Sequence, residues 1–145
     1  MKVRALVIED SPTVRTVILK LLRHSALADF EFVEAGDGME ALELFDPSQF
    51  DIISADWNMP RMSGVAFAYQ VRAIPEAKHI PIVMITSERS MGKMMDAMDN
   101  AGVDAYVCKP FPPEELRQKL APLFENLGQR GKKSGGLLGK FLGKK

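Results

Sequence analysis

The sequence has little that could serve disulfides, zinc sites or membrane insertion. Its 145 residues include one cysteine, Cys108, and two histidines. A single cysteine excludes a disulfide within the chain and is typical of proteins in a reducing cytosol. No apolar run approaches the roughly 20 residues that a membrane-spanning helix needs. The first residues lack the apolar segment of a secretory signal. We therefore expect a cytoplasmic protein.

The chain has no net charge, but its charges are unevenly distributed. Six of the 19 basic residues and none of the 19 acidic residues lie in 128–145. Residues 1–127 consequently carry a net charge of −6. Their length and ordinary hydrophobic content predict one globular domain, followed by a basic tail over 128–145.

Short apolar runs alternate with helical patterns along the first 127 residues. A proline after Ser11 and a glutamate three residues after Asp37 are typical of helix starts. A fifth helix is predicted from Pro113 to Leu127, with Pro122 inside it. This alternation predicts an α/β fold with a five-stranded parallel sheet, doubly wound with helices on both faces. The predicted strands span 3–8, 30–33, 51–55, 80–85 and 105–108.

The tail combines a glycine- and lysine-rich stretch with a short apolar cluster. Residues 128–136 contain no apolar side chain, which predicts a linker. Leucines and a phenylalanine within 137–142 then recur at helical spacing, opposite lysines. This segment is consistent with a solvated end, with a helix that folds on an anionic membrane, with a helix in a protein groove, or with docking on the acidic domain itself.

Polar side chains follow the predicted strands where parallel strands end at a common sheet edge. The first strand leads into Glu9 and Asp10, the third into Asp56, the fourth into Thr86 and the fifth into Lys109. Ligands bind at this edge of open α/β sheets. We therefore expect these five side chains to converge.

Three carboxylates at one site repel each other unless a cation compensates them. Oxygen ligands suit Mg²⁺, which would together with Lys109 balance the charge of the three carboxylates. A carboxylate can act as a nucleophile that forms an aspartyl-phosphate. Phosphoryl transfer needs mainly positioning and stabilisation of the phosphoryl oxygens. The sequence therefore indicates phosphoryl transfer to Asp56, with Lys109 and Thr86 binding the phosphoryl oxygens.

Several motifs together resemble a CheY-type response-regulator receiver domain over residues 3–127. The resemblance implies a flavodoxin-like (βα)5 fold with strand order 2-1-3-4-5. It also implies a cis peptide between Lys109 and Pro110. The matching motifs are Glu9-Asp10, Asp56-Trp57-Asn58-Met59-Pro60 with Gly64, Thr86-Ser87-Glu88, Tyr106, and Lys109-Pro110-Phe111.

The resemblance implies a role for each site residue. Asp56 would accept a phosphoryl group from a histidine kinase, a phosphotransferase or a small phosphodonor. Tyr106 would be the switch aromatic, while Asn58 and Glu88 would tune the phosphoryl lifetime. The Mg²⁺ ligands would be Glu9, Asp10, Asp56 and the backbone carbonyl of Asn58.

Two positions depart from the common pattern. Glu9 stands where aspartate is commoner, and its longer side chain predicts metal contact through water. Pro122 lacks a backbone N–H and should kink or loosen the last turns of the fifth helix.

Two hydrophobic features have competing interpretations. In the fourth helix, predicted over 91–101, Met91, Met95 and Met98 form a stripe expected to fill the core. Met94 flanks that stripe, where it would suit a partner groove. Trp57, the only tryptophan, is expected to be half-exposed beside the site.

We expect a stand-alone phosphorylation switch that is not itself an enzyme. Its helix-four, strand-five and helix-five face would bind an output protein, in chemotaxis or motility. The 18 residues after Leu127 are too few for a DNA-binding domain. We expect a monomer. The alternatives are a phosphorelay shuttle to a histidine phosphotransferase and a phosphorylation-independent module tethered by the tail.

Overall fold

The structure is a computed structural model that describes the backbone of residues 1–140 and the side chains of residues 1–128. It contains a five-stranded parallel sheet in the order β2-β1-β3-β4-β5, as predicted. The strands are β1 Lys2–Ile8, β2 Asp29–Ala35, β3 Ile52–Ala55, β4 Ile82–Thr86 and β5 Ala105–Cys108. The helices are α1 Pro12–His24, α2 Gly38–Leu44, α3 Gly64–Arg72, α4 Met91–Met95 and α5 Pro113–Lys140.

Two further turns complete the described elements. A 3₁₀ turn, Pro75–Ala77, precedes β4, and a π-helical turn, Asp96–Asn100, continues α4. None of the described helices has the length and apolar character needed to cross a membrane.

The sheet separates two apolar cores. Val3, Ala5 and Val7 of β1 pack with α1 and α5 on one face. Leu6 and Ile8 face the core that α2, α3 and α4 cover on the other side. Such alternation is the strand period of two, and it explains why both faces of the central strands are apolar.

Side-chain caps at the helix starts match the sequence pattern. Ser11 accepts a hydrogen bond from the Val14 amide at 3.2 Å, and Pro12 occupies the first helical position. Asp37 likewise accepts a hydrogen bond from the Glu40 amide at 2.9 Å, which confirms the predicted start of α2.

The fifth helix is longer than predicted. It continues through residues 128–136, so the prediction of a linker there is wrong for the backbone. No proline follows Pro122, so each later residue can donate its amide within the helix, even though each glycine costs about 1 kcal/mol relative to alanine. Pro122 lies inside the helix and is exposed, so water can reach the carbonyl that its missing N–H leaves unpaired. The remainder of the predicted apolar cluster, residues 141 and 142, lies outside the described residues.

The buried face of α4 also differs from the prediction. Met91 and Met95 are 67% and 54% exposed, so they do not fill the core. Met98 packs against the core as predicted, and Met94 does so in place of Met91 and Met95. Ala97 of the same core is fully buried. The core-facing stripe of α4 is therefore one position removed from the predicted stripe.

Candidate functional site

The predicted side chains converge at the edge where the parallel strands end. Strand pairing aligns Ile8 with Ala55, Ala55 with Met84, and Thr86 with Cys108. The residues that follow these strand ends are therefore neighbours in space. They are Glu9, Asp10, Asp56, Thr86 and Lys109.

Three carboxylates form the centre of this site. Oxygens of Glu9, Asp10 and Asp56 all lie within 4.8 Å of one another. Glu9 and Asp56 are buried, with 2% and 7% of their surface exposed, whereas Asp10 is exposed. Two buried carboxylates so close together repel each other unless one takes a proton or a cation compensates them.

Lys109 supplies part of that compensation. Its Nζ lies 2.8 Å from Glu9 Oε1 and 3.3 Å from Asp56 Oδ2. Burial alone would lower the pKa of the Lys109 ammonium, but the hydrogen bond to Glu9 and the charge of Asp56 raise it, so the group stays protonated. The peptide bond between Lys109 and Pro110 is cis, as expected.

Both carboxylate oxygens of Glu9 have close hydrogen-bond partners. Oε1 accepts from Lys109, and Oε2 accepts from the Ser11 amide at 3.0 Å. Burial raises the pKa of Glu9, although the bonds to Lys109 and to the Ser11 amide lower it. This geometry favours metal contact by Glu9 through water.

Mg²⁺ fits the donor set of this site. The clustered atoms are carboxylate oxygens, which suit a hard divalent cation. Lys109 contributes one positive charge beside three carboxylates, which favours an added cation. The backbone of Asn58 adjoins the cluster, because its amide lies 3.4 Å from Asp56 Oδ1.

The predicted switch residues are connected through Glu88. The Thr86 side chain is fully buried, and its hydroxyl accepts a hydrogen bond from the Glu88 amide at 3.2 Å. The Tyr106 hydroxyl donates to the Glu88 carbonyl at 2.8 Å. Burial, with nearby negative charges, raises the pKa of Tyr106 to about 12. Tyr106 is therefore a buried neutral phenol that contacts the loop after β4.

The lifetime-tuning candidates occupy the two loops beside Asp56. Asn58 is exposed, and Glu88 is half-buried. Lys93 on α4 lies 3.3 Å from Glu88 and 5.7 Å from the centre of the Trp57 ring. Trp57 is only 9% exposed, so the expectation of a half-exposed indole is wrong.

Sequence reasoning missed Lys93 and Arg15. Arg15 donates to the Glu9 carbonyl at 2.6 Å and pairs with Glu34 at 2.8 Å, so it holds the acidic loop from α1. The sequence did contain a signal for both residues, because each is a basic residue in the first turn of a helix that follows a loop of the site. It is weak, because helix surfaces are commonly charged.

Comparison with known proteins gives one family. The sequence model of the response regulator receiver domain matches residues 5–121. Chemotaxis protein CheY-3 of Vibrio cholerae is 37% identical over 124 residues, which cover 86% of this chain and 93% of that protein. Chemotaxis protein CheY1 of Helicobacter pylori is 40% identical over 118 residues, which cover 81% and 93% respectively.

Solved structures agree with these relatives. Vibrio cholerae CheY4 matches with a TM-score of 0.71 and 33% identity, over 83% of this chain and 97% of that one. The receiver domain of a Pseudomonas aeruginosa sensor histidine kinase, with a magnesium ion coordinated in its active-site cleft, matches with a TM-score of 0.72 and 25% identity, over 86% and 99%. The chain therefore belongs to the response regulator receiver domain family of two-component signalling and is related to the CheY chemotaxis proteins.

Proposed function

We propose that this chain is a Mg²⁺-dependent phosphorylation switch in which Asp56 is the phosphoryl acceptor. One observation carries the proposal: the buried Asp56 carboxylate lies 3.3 Å from a lysine that it shares with a second buried carboxylate. Such an arrangement is costly for folding alone, and it supplies the charges that phosphoryl transfer to a carboxylate needs.

The reaction follows from the atoms at the sheet edge. An Asp56 oxygen attacks phosphorus while the bond from phosphorus to the donor breaks. The electron pair of that bond leaves with the donor's nitrogen or oxygen, which is then protonated. The donor is a histidine kinase, a phosphotransferase or a small phosphodonor.

Resident side chains bind the transferred group. Lys109 gives up one carboxylate to pair with a phosphoryl oxygen, and the Thr86 hydroxyl turns to donate to another. Mg²⁺, held by Asp10, Asp56 and the Asn58 carbonyl with Glu9 through water, would neutralise the developing charge when bound.

The phosphorylated state reaches the surface through the loop after β4. Movement of Thr86 alters its bond to the Glu88 amide, and the Glu88 carbonyl is the acceptor of Tyr106. Two states of this loop would expose different faces of α4, β5 and α5 to an output protein. Met91 and Met95 of α4 are exposed, and methionine suits adaptable binding surfaces.

We place this switch in the cytoplasm, in chemotaxis or motility signalling. The names of the relatives, which are chemotaxis proteins, support the chemotaxis role. Asn58 and Glu88 lie two residues after Asp56 and Thr86, in the two loops beside the site. By the family resemblance, they would tune the lifetime of the signal.

Trp57 fluorescence tests the proposal, because this tryptophan adjoins Asp56. We expect one change in emission on adding Mg²⁺ and a second on adding beryllofluoride, which mimics a phosphoryl group. Asp56→Asn protein should lose the beryllofluoride response while remaining folded by circular dichroism. A folded wild-type protein that responds to neither addition would overturn the proposal.

A further inference from the structure

An ion pair joins two loops beside the site. Arg61, in the loop between β3 and α3, donates to both carboxylate oxygens of Asp37, with Nε to Oδ2 at 2.8 Å and Nη2 to Oδ1 at 3.2 Å. Asp37 is 8% exposed. Two-pronged pairing between arginine and a carboxylate fixes orientation as well as distance. The pair therefore restrains the loop more tightly than a surface lysine contact would.

A second contact joins the same two loops. The Gly38 amide donates to the Met62 carbonyl at 3.3 Å. A Cβ on Gly38 would lie 2.8 Å from the Met62 side chain, so the two backbones meet closely. Asp37 also caps α2 through the Glu40 amide, and Ala41 of that helix is fully buried. The loop after β3 therefore packs against the start of α2, a helix that itself packs on the core.

The restrained loop carries the group that orients Asp56. The Asn58 amide lies 3.4 Å from Asp56 Oδ1, three residues before Arg61. The far end of the loop is closed by the Gly64 amide, which donates to the Trp57 carbonyl at 3.0 Å. Between these ends, Arg61 adopts a φ of +66°, which costs free energy for any residue other than glycine. Surrounding contacts must outweigh that cost.

We propose that Arg61 and Asp37 are positioning residues, which hold the loop after β3 so that Asn58 and the Asp56 carboxylate present a preformed site to the divalent cation. This inference rests on the proposed function, since it concerns the Mg²⁺ site at Asp56. Neither residue contacts the cation itself.

A solely structural ion pair would behave differently. An ion pair with no part in the site would change the stability of the fold but leave the Mg²⁺ dissociation constant as it is. A positioning pair changes the Mg²⁺ affinity, because metal ligands depend on the groups that orient them. Mg²⁺ affinity, measured through Trp57 fluorescence without any phosphodonor, therefore separates the two roles.

Four variants with a matched control form the test. Arg61→Ala removes the pair, and Asp37→Asn removes its charge while keeping a residue that caps helices well. Arg61→Gly removes the pair and also relieves the positive φ. The double variant Arg61→Ala with Asp37→Asn tests whether the two act together. The control is Arg72→Ala. Arg72 also joins separate segments, since it donates to Gly102, Ala77 and Asp104. These contacts lie near the starts of β4 and β5, whereas the Mg²⁺ site lies where the strands end.

We expect Arg61→Ala, Asp37→Asn and Arg61→Gly each to raise the Mg²⁺ dissociation constant by about tenfold, at the lower end of the range for groups that orient metal ligands. The double variant should have the same Mg²⁺ dissociation constant as Arg61→Ala alone, because the first substitution already removes the ion pair. Arg61→Gly should be more stable to urea than Arg61→Ala, since glycine accepts the backbone conformation. The control should lose stability but keep the wild-type Mg²⁺ affinity.

Two outcomes would overturn the inference alone. In the first, the wild-type protein binds Mg²⁺ and the Arg61 and Asp37 variants bind it equally well. In the second, Arg61→Gly restores wild-type affinity, so backbone strain and not the ion pair sets it. A folded wild-type protein without any Mg²⁺ response would instead overturn the proposed function, and the inference with it.

Discussion

The Lys109 ammonium is shared between two carboxylates that the fold removes from water. Its Nζ is 2.8 Å from Glu9 and 3.3 Å from Asp56. The Lys109 side chain is 21% exposed, so bulk water screens these interactions only partly. The ammonium stabilises the two carboxylates when no Mg²⁺ is bound, and it also contacts carboxylate oxygens that Mg²⁺ would use. Lys109 and Mg²⁺ would therefore compete for the negatively charged oxygens of these carboxylates.

We expect Lys109→Gln to lower the free energy of unfolding by about 3 kcal/mol without Mg²⁺, since removing one partner leaves buried carboxylates uncompensated. The same variant should bind Mg²⁺ more tightly than the wild type and recover part of its stability on binding. Urea unfolding with and without Mg²⁺ measures both effects. Equal stability of the two proteins without Mg²⁺ would contradict this view of Lys109.

At the scale of elements, small residues in and just after the π-helical turn that continues α4 set the position of that helix. Ala97 and Ala101 are fully buried, and Met94 and Met98 pack beside them. These four residues lie at the spacing of one helical face. The sequence prediction placed Met91 and Met95 on the core side, because it followed the larger hydrophobic side chains and not the alanines. Alanine lets the helix lie close to the sheet, and this closeness decides which methionines remain outside.

The start of α3 depends on a similarly close approach. A Cβ on Gly64 would lie 1.9 Å from the Asp56 carbonyl oxygen, an impossible distance that only backbone movement could relieve. We expect Gly64→Ala to destabilise the protein by about 3 kcal/mol and to weaken the Trp57 response to Mg²⁺. Thermal or urea unfolding gives the first effect, and fluorescence titration gives the second.

Gly92 in α4 is a matched control for that substitution. A Cβ on Gly92 would have Ser90 Oγ as its nearest neighbour, at 3.9 Å, so a methyl group fits. Gly92→Ala should stabilise the protein by about 0.5–1 kcal/mol through helix propensity. If both alanine variants were equally stable, close packing at Gly64 would not be what α3 requires.

At the scale of the whole molecule, the residues that form the packed domain are acidic overall, and the residues after them are basic. The sheet and its helices carry a net charge of −6 through residue 127, and the rest of the sequence carries all of the compensating charge. Within the described side chains, α5 packs on the sheet through Leu116, Leu120 and Phe124, with Leu127 half-buried at the end of the row. The match to the family ends at residue 121. The basic segment therefore lies beyond the residues that the family model matches.

Deleting residues 129–145 should leave the urea stability of the domain within about 0.5 kcal/mol of the full chain, since no described core contact is removed. We expect the full chain to bind anionic vesicles at low salt, and to bind them less as salt rises, because each lysine or arginine near the surface contributes about 1 kcal/mol. The truncated chain, with its net negative charge, should not bind. Equal vesicle binding by both chains in a sedimentation assay would exclude this role for the tail.

The sequence by itself determined the fold class, the strand order through its family resemblance, and the convergence of Glu9, Asp10, Asp56, Thr86 and Lys109. These follow from local patterns and from one geometric fact, that parallel strands end at a common edge. Only the tertiary structure decided the buried position of Trp57, the outward face of Met91 and Met95, and the ion pair between Arg61 and Asp37. Each depends on which elements approach one another and how closely. Sequence periodicity reports local structure, so it does not give the distance between residues that are far apart in the chain.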